Sequence, residues 1–149
     1  MSHTAGQIGD PQVRHRGTIG GSLAHGDPAS DLPTVILALG GELVARGSAG
    51  ERVIAADDFF TGVFETALAP DELLVEVRVP KLAGSTGWAY EKAHRRAQDW
   101  ATVGVAAVVA VGRADAVQDH PLDVERAEVL CDPQRHDPVG GGGGRVGVH

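Results

Sequence analysis

Hydrophobic positions change their period along the chain. From Leu32 to Leu39 they are nearly continuous (LPTVILAL), and Gly40-Gly41 follows. With Asp31 as N-cap and Pro33 in the first turn, this pattern predicts a helix from about Leu32 to Leu39, ended by the glycine pair. The period then becomes two. Glu42 to Arg46 and Glu51 to Ala55 read as short strands around a Gly47–Gly50 turn, and Asp57 or Asp58 opens a turn carrying Phe59 and Phe60. Glu72 to Val79 alternates, with Leu73, Val75, Val77 and Val79 facing one way and Leu74, Glu76 and Arg78 the other, until Pro80 closes it. Gly87 to Ala93 alternates again and puts Trp88, Tyr90 and Lys92 on one face. Thr102 to Val111 is continuously apolar and rich in Val, as in a strand buried on both faces, and the Leu73–Val79 face is expected to be buried with it. Leu122 to Leu130 supplies a more polar strand. The fold class is α+β, a largely antiparallel sheet with flanking helices.

The remaining segments lack such a period. Met1 to Asp10 is small and polar and is expected to fray. Pro11 to Pro33 is dense in Gly, Ser, Thr, His, Asp and Pro; it reads as an ordered loop system with short helical pieces, because Gly20 and Gly21 oppose a regular element. After Leu130 comes CDPQRHDPVGGGGGRVGVH, which has nothing to bury and is expected to be disordered. The domain division is therefore 1–10 disordered, 11–130 one folded unit, and 131–149 a disordered Gly-rich tail.

Composition narrows the function. Thirteen Lys and Arg against twenty Asp and Glu give a net charge of −7, which argues against a general binder of nucleic acid or anionic membrane. A single cysteine, Cys131, cannot form an internal disulfide, a four-Cys zinc site or an iron–sulfur cluster, and a reducing, cytoplasmic setting fits. The apolar run Val103 to Val111 is too short to span a bilayer as a helix, and the first ten residues lack the pattern of a signal peptide.

Several residue groups carry chemistry. In Gly17-Thr18-Ile19-Gly20-Gly21-Ser22 the glycine pair admits close approach to the backbone, and two hydroxyls flank it. Such a loop suits a phosphate or pyrophosphate; it equally describes a Gly-rich turn capped by hydroxyls. Gly142, Gly144 and Gly147 match the spacing of a dinucleotide-binding turn but sit in a glycine run without strand or helix, and that reading is rejected. Ser22, His25 and Asp27 have the residue types of a hydrolase triad, yet three neighbours in one loop rarely reach the geometry. His15, His25, Cys131 and His136 have no metal-ligand spacing, so no metal site is expected. Lys92, Arg95, Arg96 and Asp99 form a charged cluster in which Arg95 or Arg96 pairs with Asp99, while Lys92 shares a face with Trp88 and Tyr90.

Three blocks in order, VRHRGTIGGSLAHGDPASDLP, DDFFTGVFETALAPDELLVEVRVP and AYEKAHRRAQDWATVGVAAVV, resemble the FAD-binding (medium) subunit of molybdenum hydroxylases. The likeness is nearest to the carbon monoxide dehydrogenase branch, with xanthine dehydrogenase as a relative, and covers about Pro11 to Leu130. The resemblance implies the second subdomain of a vanillyl-alcohol-oxidase-type (PCMH-type) FAD-binding domain. It implies FAD contacts at Thr18, Ile19, Gly20, Gly21 and Ser22, through glycine N–H groups and flanking hydroxyls, and further contacts at Asp31, Leu73, Leu74 and Lys92. No residue is implied as a proton-transfer catalyst. The implied function is an electron relay through FAD, with molybdopterin on a large partner subunit and two [2Fe-2S] clusters on a small one. Family members also carry a preceding subdomain with an AGG-x-S loop, which these residues lack. An internal piece of the flavin subunit is therefore expected, gripping FAD weakly alone, or else a non-catalytic interaction module that has lost the flavin.

Overall fold

The computed structural model describes residues 1–82, 84, 86–96 and 99–110, and the backbone of 126–130. In chain order the elements are α1 (Ser2–Gln7), α2 (Pro11–Arg16), α3 (Ile19–His25), α4 (Asp31–Ala38), β1 (Glu42–Gly47), β2 (Gly50–Ala55), α5 (Ala56–Phe59), β3 (Phe60–Gly62), β4 (Glu65–Thr66), β5 (Leu73–Arg78), β6 (Thr86–Ala93), β7 (Val103–Ala110) and β8 (Arg126–Leu130). The strands form a sheet of order β2-β1-β5, the small hairpin β3-β4, and a sheet of order β6-β7-β8, all with antiparallel pairing. The α+β class with antiparallel sheets and flanking helices holds.

Helix α4 organises both sheets. All eight of its residues are buried, the polar Asp31 and Thr34 among them. Ile36 and Leu37 pack with Leu23, Leu43, Ala45, Ile54 and Phe59 over the first sheet. Val35 and Ala38 pack with Tyr90, Ala106 and Val108 on the second. Each large side chain so buried contributes about 1.5–3 kcal/mol. The helix ends at Gly40, whose φ of 61° is left-handed. The Gly40 N–H donates to Leu37 O and the Gly41 N–H to Ile36 O, the paired bonds of a Schellman motif.

Several expectations need correction. Residues 1–10 were expected to fray, but Ser2–Gln7 is helical and Thr4 is 1% exposed, because α1 packs on α4. The Gly20-Gly21 pair does not interrupt regular structure; it forms the first turn of α3, where a side-chain cap offsets the low helix propensity of glycine. The N-cap of α4 is Ser30, and Asp31 is its first residue, its carboxylate drawn away by partners in β6.

In β5 the buried face is not the expected one. Pairing with β1 runs Val44↔Glu76 and then Ala45↔Leu74, so Val75 is an extra residue, a β-bulge. Across the bulge the alternation slips, and Leu74, Val77 and Val79 face the core while Leu73 is 73% and Val75 42% exposed. β5 also lies in a different sheet from β7. β7 is fully covered on one face, at Gly104, Ala106 and Val108, and half-buried on the other. Of the expected strand Leu122–Leu130, Arg126–Leu130 forms β8, while its residues 122–125 and the Gly-rich tail 131–149 lie outside the described residues. Among the described residues no helix is long and apolar enough to cross a membrane.

Candidate functional site

The loop singled out from the sequence folds into the start of α3. Thr18 is extended (φ −124°, ψ 154°) and caps the helix, its Oγ1 accepting from the Gly21 N–H at 3.0 Å. The Ser22 N–H donates to Thr18 O at 3.0 Å. The two glycines do different work. A Cβ on Gly21 would lie 3.0 Å from Thr18 Oγ1 and press on the cap, whereas a Cβ on Gly20 would meet nothing within 4 Å. Gly21 makes room for the cap, and Gly20 leaves the backbone open to its surroundings.

Those surroundings are a cleft of about 410 Å³ between α3 and β5, lined by Ile19, Gly20, Leu74, Val75, Glu76, Val77 and Val79, together with Met1. β5 is an edge strand among the described residues, so its outer backbone groups border this cleft. The fold thus brings Ile19, Gly20 and Leu74 together from two sequence blocks. Glu76 is half-exposed and paired with Arg78 at 2.9 Å, and that hydrogen bond holds its carboxyl below the usual range.

The other expected residues stand elsewhere. Leu73 faces solvent. Ser22 Oγ shares a hydrogen bond with Ser30 Oγ at 3.1 Å, and the Gly21 N–H is taken by the cap. Thr18 Oγ1 accepts there and keeps its own hydrogen to donate. Asp31 and Lys92 do not line the cleft; they form a buried ion pair, Lys92 Nζ to Asp31 Oδ2 at 2.9 Å, with side chains 2% and 5% exposed. The Tyr90 hydroxyl donates to the other carboxylate oxygen at 2.5 Å, and Lys92 Nζ also donates to Gln7 O at 3.2 Å. Burial, and then the hydrogen bond to Asp31, push the Tyr90 phenol far up, so it stays protonated and donating. That Tyr90 and Lys92 share a face was legible; their common partner was not.

The remaining constellations dissolve. The His25 ring lies against Phe64 with centroids 5.2 Å apart, and Asp27 Oδ1 accepts from the Ala29 N–H at 2.8 Å, so Ser22, His25 and Asp27 form no triad. Asp99 Oδ1 accepts from the Trp100 N–H at 3.0 Å, and among the described residues neither Arg95 nor Arg96 is ion-paired with it.

One device at the site went unread in the sequence. Arg52 on β2 grips Glu72 bidentately, with Nε to Oε1 at 2.7 Å and Nη2 to Oε2 at 2.8 Å, and also donates to Ala67 O. Glu72 accepts in addition from the Ala69 N–H, and Asp71 from the Ser48 hydroxyl at 2.6 Å. These bonds tie the loop 67–72 to the β1–β2 hairpin and so set where β5 begins. The signal was present in PDELL, two adjacent acids ahead of a strand, but their partners are 20 and 23 residues away.

Residues 1–82 match the family model described as the FAD binding domain in molybdopterin dehydrogenase. The carbon monoxide dehydrogenase medium chain of Hydrogenophaga pseudoflava is 49% identical over 109 residues, 73% of this chain and 38% of that one. The caffeine dehydrogenase subunit beta of Pseudomonas sp. (strain CBB1) is 40% identical over 132 residues, 88% of this chain and 42% of that one. The solved structure of reconstituted CO dehydrogenase from Oligotropha carboxidovorans superposes with a TM-score of 0.71 at 41% identity, over 74% of this chain and 38% of that one. The chain spans about two fifths of the length of the curated relatives it matches. On the matched residues and the shared fold, the chain belongs to the family of FAD binding domains of molybdopterin dehydrogenases.

Proposed function

We propose that the α3–β5 cleft is one side of an FAD cradle in the electron-relaying flavin component of a molybdenum hydroxylase. The observation that carries this reading is the convergence of Ile19, Gly20 and Leu74 on one cleft, with open space where a Gly20 side chain would stand. The residues fit the cofactor. Gly20 lets a flat or phosphorylated group approach the backbone, Thr18 keeps a hydroxyl hydrogen to donate, and Leu74 and Val77 give an apolar wall. Gly21 and Ser22 act by holding the first turn of α3, and Asp31 and Lys92 by anchoring α4 and β6 behind it; Leu73 stands at the exposed rim. When bound, FAD supplies a carrier that takes up electrons singly and releases them in pairs. The domain reading, a folded unit to about residue 130 followed by a tail, belongs to this proposal. So do an iron–sulfur small subunit and a molybdopterin large subunit as partners, a complementary FAD subdomain and a cytoplasmic setting. The net charge of −7 speaks against nucleic acid as a partner, and among the described residues no helix is long and apolar enough to cross a membrane.

Titration of the chain with FAD, followed by flavin fluorescence, tests the reading. With one side of the cradle, the expected dissociation constant is weaker than about 1 μM, and co-expression with the remaining flavin subdomain of a relative tightens it. Gly20→Leu, which fills the cleft with a good helix former, abolishes binding. Equal binding by Gly20→Leu would overturn the site, and a chain with no saturable FAD binding would instead be the interaction module.

A further inference from the structure

Helix α3 is seven residues long; Leu23 alone among them is fully buried, and Ile19, beside Gly20, is partly buried against the same core. Its other end is held by an unusual feature. Phe64, between β3 and β4, has a φ of 58°, in the left-handed region that bulky residues avoid. Phe64 is 57% exposed, so core burial does not explain why a phenylalanine stands where Gly or Asn would fit without strain. Strain of this kind persists where surrounding contacts over-determine it.

Those contacts all reach α3. The Phe64 N–H donates to Gly26 O at 3.0 Å, and the Phe64 ring lies 5.2 Å from the His25 ring at 55°. Gly26 caps α3 with a left-handed φ of 65°, and a Cβ there would come within 3.0 Å of Thr66 Cγ2 and 3.3 Å of the Glu65 nitrogen. The hairpin in turn is fixed to the core, because the Ala67 N–H donates at 2.8 Å to the carbonyl of Phe59, whose side chain is fully buried. A continuous path therefore runs from the core through Phe59, the hairpin and Gly26 into α3, whose first turn lines the cleft.

We propose that Phe64 is a positioning residue: the β3–β4 hairpin clasps the C-terminal end of α3 and thereby sets the Ile19–Gly20 wall of the cleft. Its consequence for FAD rests on the proposed function; the clasp itself does not. Hydrogen exchange of the ligand-free chain therefore comes first. Phe64→Ala is expected to speed exchange of the Ser22 to Gly26 amides by about tenfold, with α4 amides unchanged. Phe64→Tyr, which keeps the ring, is expected to exchange like wild type. Phe64→Gly accepts the left-handed backbone without strain, which guards against loss of folding, and it is expected to loosen α3 because the ring is gone. Unchanged α3 exchange in Phe64→Ala and Phe64→Gly, or equal acceleration in α4, overturns the clasp. Where the wild-type chain binds FAD, Phe64→Ala is expected to weaken binding about tenfold and Phe64→Tyr to restore it. Undiminished FAD affinity with a loosened α3 overturns the positioning role. Failure of the wild type to bind FAD overturns the proposed function and leaves the clasp to be decided by exchange alone.

Discussion

The Tyr90 hydroxyl donates to Asp31 Oδ1 at 2.5 Å across 59 residues of sequence. With Lys92 on the other carboxylate oxygen and on the Gln7 carbonyl, one buried acid joins α1, α4 and β6. The Lys92–Gln7 bond ties the N-terminal helix to the second sheet, in addition to the packing of α1 on α4. Asp31 also sits in the first turn of α4, where a negative charge is favoured by the helix dipole.

Breaking this pair leaves a buried charge alone. Asp31→Asn is expected to cost about 3–5 kcal/mol, since it strands the Lys92 ammonium. Tyr90→Phe removes one hydrogen bond to a charged acceptor and is expected to cost about 1.5–3 kcal/mol. Urea unfolding followed by tryptophan fluorescence measures both. An Asp31→Asn chain within about 1 kcal/mol of wild type would show that the pair does not hold these elements together.

The Arg52–Glu72 clamp predicts a specific acid response. The hydrogen bond from Arg52, reinforced by the Ala69 N–H, lowers the Glu72 pKa from 4.5 to about 2. A carboxyl depressed on folding stabilises the fold above its unfolded pKa, and that contribution is lost as pH falls through the folded one. Between pH 4.5 and about 2 the protein is therefore expected to lose stability as Glu72 is protonated. Glu72→Gln removes this part of the acid limb, so its thermal midpoint falls less steeply over the same range. Parallel acid limbs in the two proteins would exclude the clamp as a source.

The bulge at Val75 makes neighbouring leucines unequal. Leu73→Ser lies on the exposed face and is expected to change stability by no more than about 0.5 kcal/mol. Leu74→Ser, facing Leu43 and Ala45 in the core, is expected to cost at least about 1 kcal/mol and to weaken FAD binding, because Leu74 also lines the cleft. Denaturant midpoints of the two variants decide it. The reverse order would restore the plain alternation read from the sequence.

Much of this architecture follows from local pattern. The period of two located β1, β2, β5 and β6, the apolar run before Gly40-Gly41 located α4, and the glycine pair ends that helix as expected, because caps and periods are settled within a few residues. The loop Thr18–Ser22 was singled out by composition, although its helical form was not, since a side-chain cap from Thr18 outweighs the propensity of two glycines.

What remained depends on contacts between distant residues. No local rule announces that Val75 is extra, because a bulge is defined only against the partner strand β1. Nothing within Asp31's own segment shows that its carboxylate serves Tyr90 and Lys92 rather than a helix cap, and nothing near Glu72 points to Arg52. Short-range periodicity determines which residues share a face of one element. Which polar group satisfies which, and which faces meet to enclose a cleft, is decided when the chain closes, because a buried charge must find its partner wherever the fold brings one.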